Sequence, residues 1–292
     1  MLKKYSLRKI GITTLLLLLS FILYHYPENI NKNINKEIYK VPVVSFSDFY
    51  LSMTEINCPS NMFQDKVERI IRYLIDEGIL PNGTRLIDYA LENGILNINF
   101  SNDILNVSSD MEEKMIEGLI YSLTSLDGVT KIHILIEGDE LIELPFSKKK
   151  IDSYLDRSYG INKVYDITNL KNVTHITIYF HDSLNDYVPV SYYYNDSEDK
   201  VRMIIRELKN NSFLSGNLSS YLDYQVQLID YEILEDKIVL NFNEFFNRFL
   251  SDGKIIEEVK YAIGYSVYDS LDISSIEFRI NSLKIDELIL AK

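Results

Sequence analysis

The sequence predicts an α+β protein built from two tandem copies of one small domain. Three observations carry that reading. Residues 66–74, KVERIIRYL, return as KVRMIIREL at 200–208, with six of nine positions identical at a shift of 134. Further matches follow in the same order: LIDY at 86–89 and 228–231, then INF at 98–100 and LNF at 240–242, at a shift of 142. The segments TKIHILIE and SSIEFRIN both alternate apolar and polar residues, as half-buried strands do. Shifts that grow in steps mean loop insertions between matched elements, here about eight residues near SFLSGNLSSYLDYQ.

Each copy reads strand, helix, strand, strand, helix, strand. The first strand is VVSF (43–46), which a shift of 134 sets against Ile178, Tyr179 and Phe180. In the first helix Val67, Ile70, Ile71 and Leu74 fall at i, i+3, i+4 and i+7, with Lys66, Glu68, Arg69 and Arg72 outside. Asn61 followed by Gln64 marks its start. Asn93-Gly94 and Glu235-Asp236 sit where hairpin turns belong between the two middle strands.

Ser109 followed by Glu112 fits a capping box opening the second helix. There Met115, Leu119 and Leu123 correspond to Val259, Ile263 and Val267 at a shift of 144. Gly118, and Ala262 in the second copy, keep one point of that helix small, as close approach to a neighbour requires. In the closing strand Ile132, Ile134 and Ile136 oppose Lys131, His133 and Glu137; Ile276, Phe278 and Ile280 oppose Glu277, Arg279 and Asn281. Two helices then lie on one face of a sheet whose other face is wet or held by a partner.

The first copy is placed at 41–146 and the second at 173–292. Segment 147–172, with SKKK and Gly160, reads as a linker that can pack on either. Ahead of them, residues 1–27 have a basic start and an apolar run from Ile10 to Tyr24, the design of a signal or anchor segment. No small-x-small pattern follows the run, which favours retention as an anchor. Fifteen helical residues span about 22 Å against a hydrocarbon core of roughly 30 Å. Snorkelling Arg8 and Lys9 and interfacial Tyr24 and Tyr26 close the difference. Residues 28–40 form a polar spacer, and the rest of the chain is expected outside the cytoplasm.

The net charge is −13, and the first nine residues already contribute four cations and no acid. A body this acidic repels phosphate backbones, so nucleic acid is not an expected partner. Cys58 is the single cysteine, expected half-buried in the loop before the first helix, with no partner for a disulfide or a structural zinc site.

No constellation for catalysis, cofactor or metal emerges, and the chain is read as a non-enzyme. His25 lies in the membrane flank, His133 on an open strand face, and His175 and His181 bracket one strand. With Asp182 and Asp186 the last two suggest a metal, but they stand about 20 Å apart along that strand and read better as solvated polar residues. The pairs Glu112–Glu113 and Glu257–Glu258 complement helix dipoles. The cluster DSED (196–199) also precedes a helix and lacks the glycine and terminal glutamate of a calcium loop. No Gly-rich phosphate loop is present.

The stretch ILPNGTRLIDYALENGILNINFSNDI, followed by EKMIEGLIYSLTSLDGVTKIHILIEGD, resembles the GerMN domain of sporulation and spore-germination proteins. The turn Pro81, Gly83, Thr84, the strand end Asn99, Phe100, Ser101, the S-L-T helix and the strand start Gly128, Val129, Lys131, Ile132 carry the likeness. The second copy keeps the NF strand end and loses the P-x-G-T turn.

The resemblance implies the GerM type, with tandem GerMN domains similar to ring-building modules behind an export signal. It implies a role in endospore formation and germination within an intermembrane channel complex around the forespore. Implied partners are proteins of that complex, further copies of the chain, and the membrane through the N-terminal helix. The lipid-attachment cysteine of some members is missing. The alternative is an extracytoplasmic module binding cell-wall glycan or a small ligand through Tyr192, Tyr193 and Tyr194.

Overall fold

The structure is a computed structural model describing residues 38–47, 49–195, 199–210 and 218–290. The anchor segment 1–27 and residues 28–37 of the spacer lie outside these. Among the described residues no helix is long and apolar enough to cross a membrane.

In chain order the elements are β1 (Tyr39–Ser47), β2 (Tyr50–Cys58), α1 (Phe63–Asp76), β3 (Leu86–Glu92), β4 (Ile95–Phe100), α2 (Glu112–Leu123), β5 (Lys131–Ile136) and β6 (Asp139–Glu140). They continue with β7 (Val164–Asp166), β8 (Thr174–His181), β9 (Tyr187–Tyr194), α3 (Lys200–Lys209), β10 (Leu228–Leu234) and β11 (Lys237–Phe242). The last are β12 (Leu250–Ser251), β13 (Lys254–Ile255), α4 (Glu257–Leu271), β14 (Ser275–Ile280) and β15 (Leu283–Ile289). The fold class is α+β. The order within a copy is richer than expected: each opens with a hairpin, β1–β2 or β8–β9, where a single strand was predicted, and each closes with an added strand, β6 or β15.

The two four-stranded sheets are built alike, in the orders β3-β4-β5-β6 and β10-β11-β14-β15. In each, an antiparallel hairpin is followed by a helix and a strand that returns parallel to its second arm. Both hairpins carry the same irregularity, between Leu86 and Asp88 and between Leu228 and Asp230. The asparagine of each NF strand end pins it. Asn99 donates to Asp88 at 3.0 Å and accepts from the Gly138 N–H; Asn241 donates to Asp230 at 3.0 Å and accepts from the Ser282 N–H. Thr84 donates its hydroxyl to the Pro81 carbonyl, closing the P-x-G-T turn.

The helices pack between this sheet and the hairpin, so the expectation of two helices covering one side of one sheet is corrected. Helix α1 buries Val67, Ile70, Ile71 and Leu74, the predicted stripe. Burying four such side chains contributes about 6–12 kcal/mol gross, before chain entropy. Helix α2 is buried on nearly every side because strand β1 and strand β5 both pack on it. Gly118 is where it passes closest: a Cβ there would stand 2.7 Å from a methyl of Ile79.

Neither predicted cap forms. Helix α1 starts after Met62 and α2 after Met111, both without side-chain capping, and Glu112 turns elsewhere. The first-strand register is also corrected by one residue. Ser122 of α2 accepts from the Val44 N–H at 3.1 Å, and Ser266 of α4 accepts from the Tyr179 N–H at 2.9 Å, a shift of 135. One residue matters here, because it exchanges the two faces of a strand.

The hairpins of the two copies meet in one five-stranded sheet, β1-β2-β9-β7 with β8 on the far side of β9. β2 and β9 pair at Met53 and Tyr187 and then diverge, and the segment read as a linker able to pack on either copy fills the gap. Its strand β7 runs parallel to the end of β9, and Leu155 and Ile161 sit in the first copy's core. From Tyr39 onward the chain is therefore one compact unit.

Candidate functional site

The polar groups that the fold gathers most densely lie at the junction between the copies. Gly160 (φ 81) lets the linker pass against β9, since a Cβ there would meet the Tyr193 hydroxyl at 2.6 Å. Two residues later Asn162 (φ 47) is buried with its side chain aimed into the gap between β2 and β9. Its carbonyl oxygen accepts from the Leu51 N–H at 2.9 Å, and its amide donates to the carbonyls of Leu51 at 2.8 Å and Pro189 at 2.7 Å. Lys114 donates to the same oxygen, and the Asn162 N–H reaches Glu117 at 3.1 Å.

Around this amide stands a charged cluster. Lys163 lies 3.3 Å from both Glu113 and Glu117 and 3.6 Å from the centre of the Tyr159 ring. Burial lowers the Lys163 pKa against the pull of Glu117 and Glu113. Burial also works to raise the Glu113 pKa, but Lys149 and Lys163 beside it hold it below the usual range. Glu112 does not cap its helix: its buried carboxylate accepts from the Phe146 and Ser147 N–H groups and ties the linker's start to α2. Of the glutamate pair read as a dipole complement, one therefore fastens backbone and the other pairs with lysines.

A second cluster joins linker, α2 and α4. Arg157 pairs with Asp269 at 2.9 Å, donates to Thr124 and Ser125, and lies 5.0 Å from the centre of the Tyr121 ring. Tyr179 donates to the other oxygen of Asp269. Burial raises the Tyr121 and Tyr179 pKa values far out of the physiological range, and Asp269 adds to it. Every charged group in both clusters is matched by a neighbour in the same chain, and these pairs hold linker and helices together.

The three histidines among the described residues are not solvated groups. His133 hydrogen-bonds Asn97 at 2.9 Å beneath Tyr154, because the linker returns over that sheet face. His181 is buried, with ring nitrogens 3.4 Å from the Asn185 carbonyl and 3.2 Å from that of Glu258. His175 lies against the Tyr193 ring with a buried Nε2, and burial, with Lys200 nearby, depresses its pKa to about 4. Asp182 closes its own turn by accepting from the Leu184 and Asp186 N–H groups. His25 lies outside the described residues.

Cys58 is fully buried as the last residue of β2, not half-buried in a loop. Of DSED, Asp199 caps α3 by accepting from the Arg202 N–H, and the other three residues lie outside the described ones. Tyr192 and Tyr194 are core residues of β9 and Tyr193 stacks on Tyr165, so the run is not a surface platform. Among the described residues no three His, Cys, Asp or Glu side chains stand close enough to hold a metal ion.

The open sheet face of the second copy is paved with ions. Lys237 reaches Glu277 at 2.7 Å, Arg279 reaches it at 2.6 Å, and Lys284 joins through Glu287. The Lys237 hydrogen bond, against partial burial and helped by Arg279, draws the Glu277 pKa down to about 2. In the first copy a groove of about 520 Å³ opens beside Leu105, Asp139, Ile142 and Lys148, and its lining contains no histidine, cysteine or serine.

Comparison with known proteins agrees with this architecture. The Germane family, described as sporulation and spore germination, matches residues 31–142. The spore germination protein GerM of Bacillus subtilis (strain 168) is 28% identical over 239 residues, covering 75% of this chain. The chain spans 65% of that relative's length. The solved structure of the tandem GerMN domains of the Bacillus subtilis sporulation protein GerM superposes with a TM-score of 0.72 at 22% identity. That match covers 87% of this chain and 97% of the other, and it establishes a shared fold.

Proposed function

We propose, from its likeness to GerM-type proteins of sporulation and spore germination, that the chain is a non-enzymatic, membrane-tethered scaffold. It works outside the cytoplasm, in the space around the developing forespore, and supports a ring-like intermembrane channel complex. Its partners are proteins of that complex, with further copies of the chain among them.

The observation that carries this reading is the wedge of Asn162 between Leu51 and Pro189. It helps join the two copies into one compact unit, and such a unit carries its outer surfaces together. Unlike surfaces held in that way suit head-to-tail assembly. The charged clusters add support, because their groups are engaged with one another across linker and helices.

Deleting the gene in its host and scoring spore formation and germination separately tests the biological half. Light scattering of the full chain, alone and with components of the forespore channel, tests the assembly half. A strict monomer that binds none of them overturns the scaffold reading.

A further inference from the structure

We infer that the outer edges of β3 and β10 are twin docking sites for an extended segment of a partner protein in which basic and apolar residues alternate. The inference rests on the scaffold reading above and adds where and how a partner binds.

Both strands stand at the end of their sheets with a neighbour on one side only. Among the described residues no other segment bonds to their outer edges. The hairpins close at Glu92–Ile95 and Leu234–Lys237 around two-residue turns. The closing pair of such a hairpin is hydrogen-bonded and bonding alternates from there. Asp88, Ala90 and Glu92 therefore turn their N–H groups to β4, and Tyr89 and Leu91 turn theirs outward. In the second copy Tyr231 and Ile233 do the same.

Exposed strand edges are ordinarily blunted with lysine. These carry none. LIDYALE and LIDYEIL hold only acids, Asp88 and Glu92 in one, Asp230 and Glu232 in the other. Large apolar residues are left in water at matching positions: Ile87 and Ile229 are each 46% exposed, Leu91 38% and Ile233 48%. An edge kept only for solubility gains nothing from isoleucine, and here the feature occurs twice.

Cross-strand pairing names the partner. Residues opposite Asp88, Glu92, Asp230 and Glu232 must be basic, and those opposite Tyr89, Leu91, Tyr231 and Ile233 apolar. A second copy of these edges would set acid against acid, so a homotypic pair is disfavoured. Main-chain bonds supply affinity and the alternating side chains supply selectivity, as in strand addition generally.

The test uses the full-length chain in detergent and a fluorescein-labelled octapeptide of alternating lysine and valine. Anisotropy should show binding at least about tenfold tighter than to the same peptide N-methylated at every residue, or to one alternating glutamate and valine. The chain carrying Leu91→Pro and Ile233→Pro loses one of the two outward N–H groups on each edge without changing charge, and should also bind about tenfold more weakly. No binding by the wild-type chain, or equal binding of the methylated peptide, overturns the inference whether or not the proline variant folds. Cross-linked complexes from sporulating host cells separate the two failures. If the wild-type chain retains no channel component, the scaffold reading falls; if wild type and proline variant retain them equally, only the strand-edge inference falls.

Discussion

The side chain of Asn162 forms both hydrogen bonds of a strand neighbour to Leu51, accepting from its N–H at 2.9 Å and donating to its carbonyl at 2.8 Å. A primary amide presents a donor and an acceptor in nearly the spacing of a peptide group, so one side chain continues a ladder where β2 and β9 part. Leu51 lies in the first copy and Pro189, the third partner, in the second.

Asn162→Ala should therefore cost more than an ordinary surface change. It leaves buried backbone groups on both hairpins without partners, each worth about 1–3 kcal/mol. Urea unfolding should show a lower midpoint and, because the junction is weakened selectively, a single transition broadening into two. Asn162→Asp should be no better, since it keeps the acceptor for Leu51 but loses the donors to Leu51 and Pro189.

The pair Arg157–Asp269 makes the second join. Asp269→Asn leaves a guanidinium among Tyr121, Tyr179 and Ser125 without its counter-charge, and should destabilise by about 3–5 kcal/mol. Replacing both, with Arg157→Met and Asp269→Leu, should recover much of that loss, because the desolvation penalty disappears with the charges. Thermal unfolding of the two variants beside wild type checks the order.

His175 and Glu277 predict how stability responds to acid. Burial puts the His175 pKa at about 4, below the unfolded value, so the unfolded chain binds the extra proton. That contribution is complete above roughly pH 6.5 and is lost as pH falls toward 4. Glu277, drawn down to about 2, contributes stability present above its unfolded value and lost below it. Denaturation midpoints should thus fall in two stages on acidification. His175→Phe, which retains the ring against Tyr193, should flatten the stage between pH 6.5 and 4 and leave the lower one.

Much of each four-stranded sheet was legible because its signals are local. LIDY, the NF strand end, the Asn93-Gly94 turn and the stripe Val67, Ile70, Ile71, Leu74 all lie where pattern alone placed them. The second arms of the hairpins were not legible: YLSMTEINC and YVPVSYYY are buried on both faces over parts of their length, so neither alternates cleanly. The junction was hidden for a different reason. Asn162 and Leu51 are 111 residues apart, and nothing in a polar linker announces that one of its asparagines will stand in for a strand. Glu112 misled for the same reason, since its partners at 146 and 147 outrank the cap that its spacing suggested.

The edges of the shared sheet give a last prediction. Ser266 and Ser270 of α4 accept from the N–H groups of Tyr179 and Thr177, covering the free edge of β8. In the first copy Ser122 serves Val44 in the same way. The position matching Thr177, at the shift of 135 that the serines define, is Pro42, and the position matching Ser270 is Leu126. Proline has no N–H, so no acceptor is required, and the turn that follows α2 carries an apolar residue there instead. Ser122→Ala and Ser266→Ala should each cost about 1–3 kcal/mol by leaving a buried N–H unpaired. Pro42→Ala should also destabilise, since it adds an N–H to that edge where the matching position offers no serine, and loosens the unfolded chain. Pro42→Ala combined with Leu126→Ser should recover part of the loss by rebuilding the arrangement of the second copy. If the double variant proves less stable than Pro42→Ala alone in urea unfolding, the two edges are not protected by the same device.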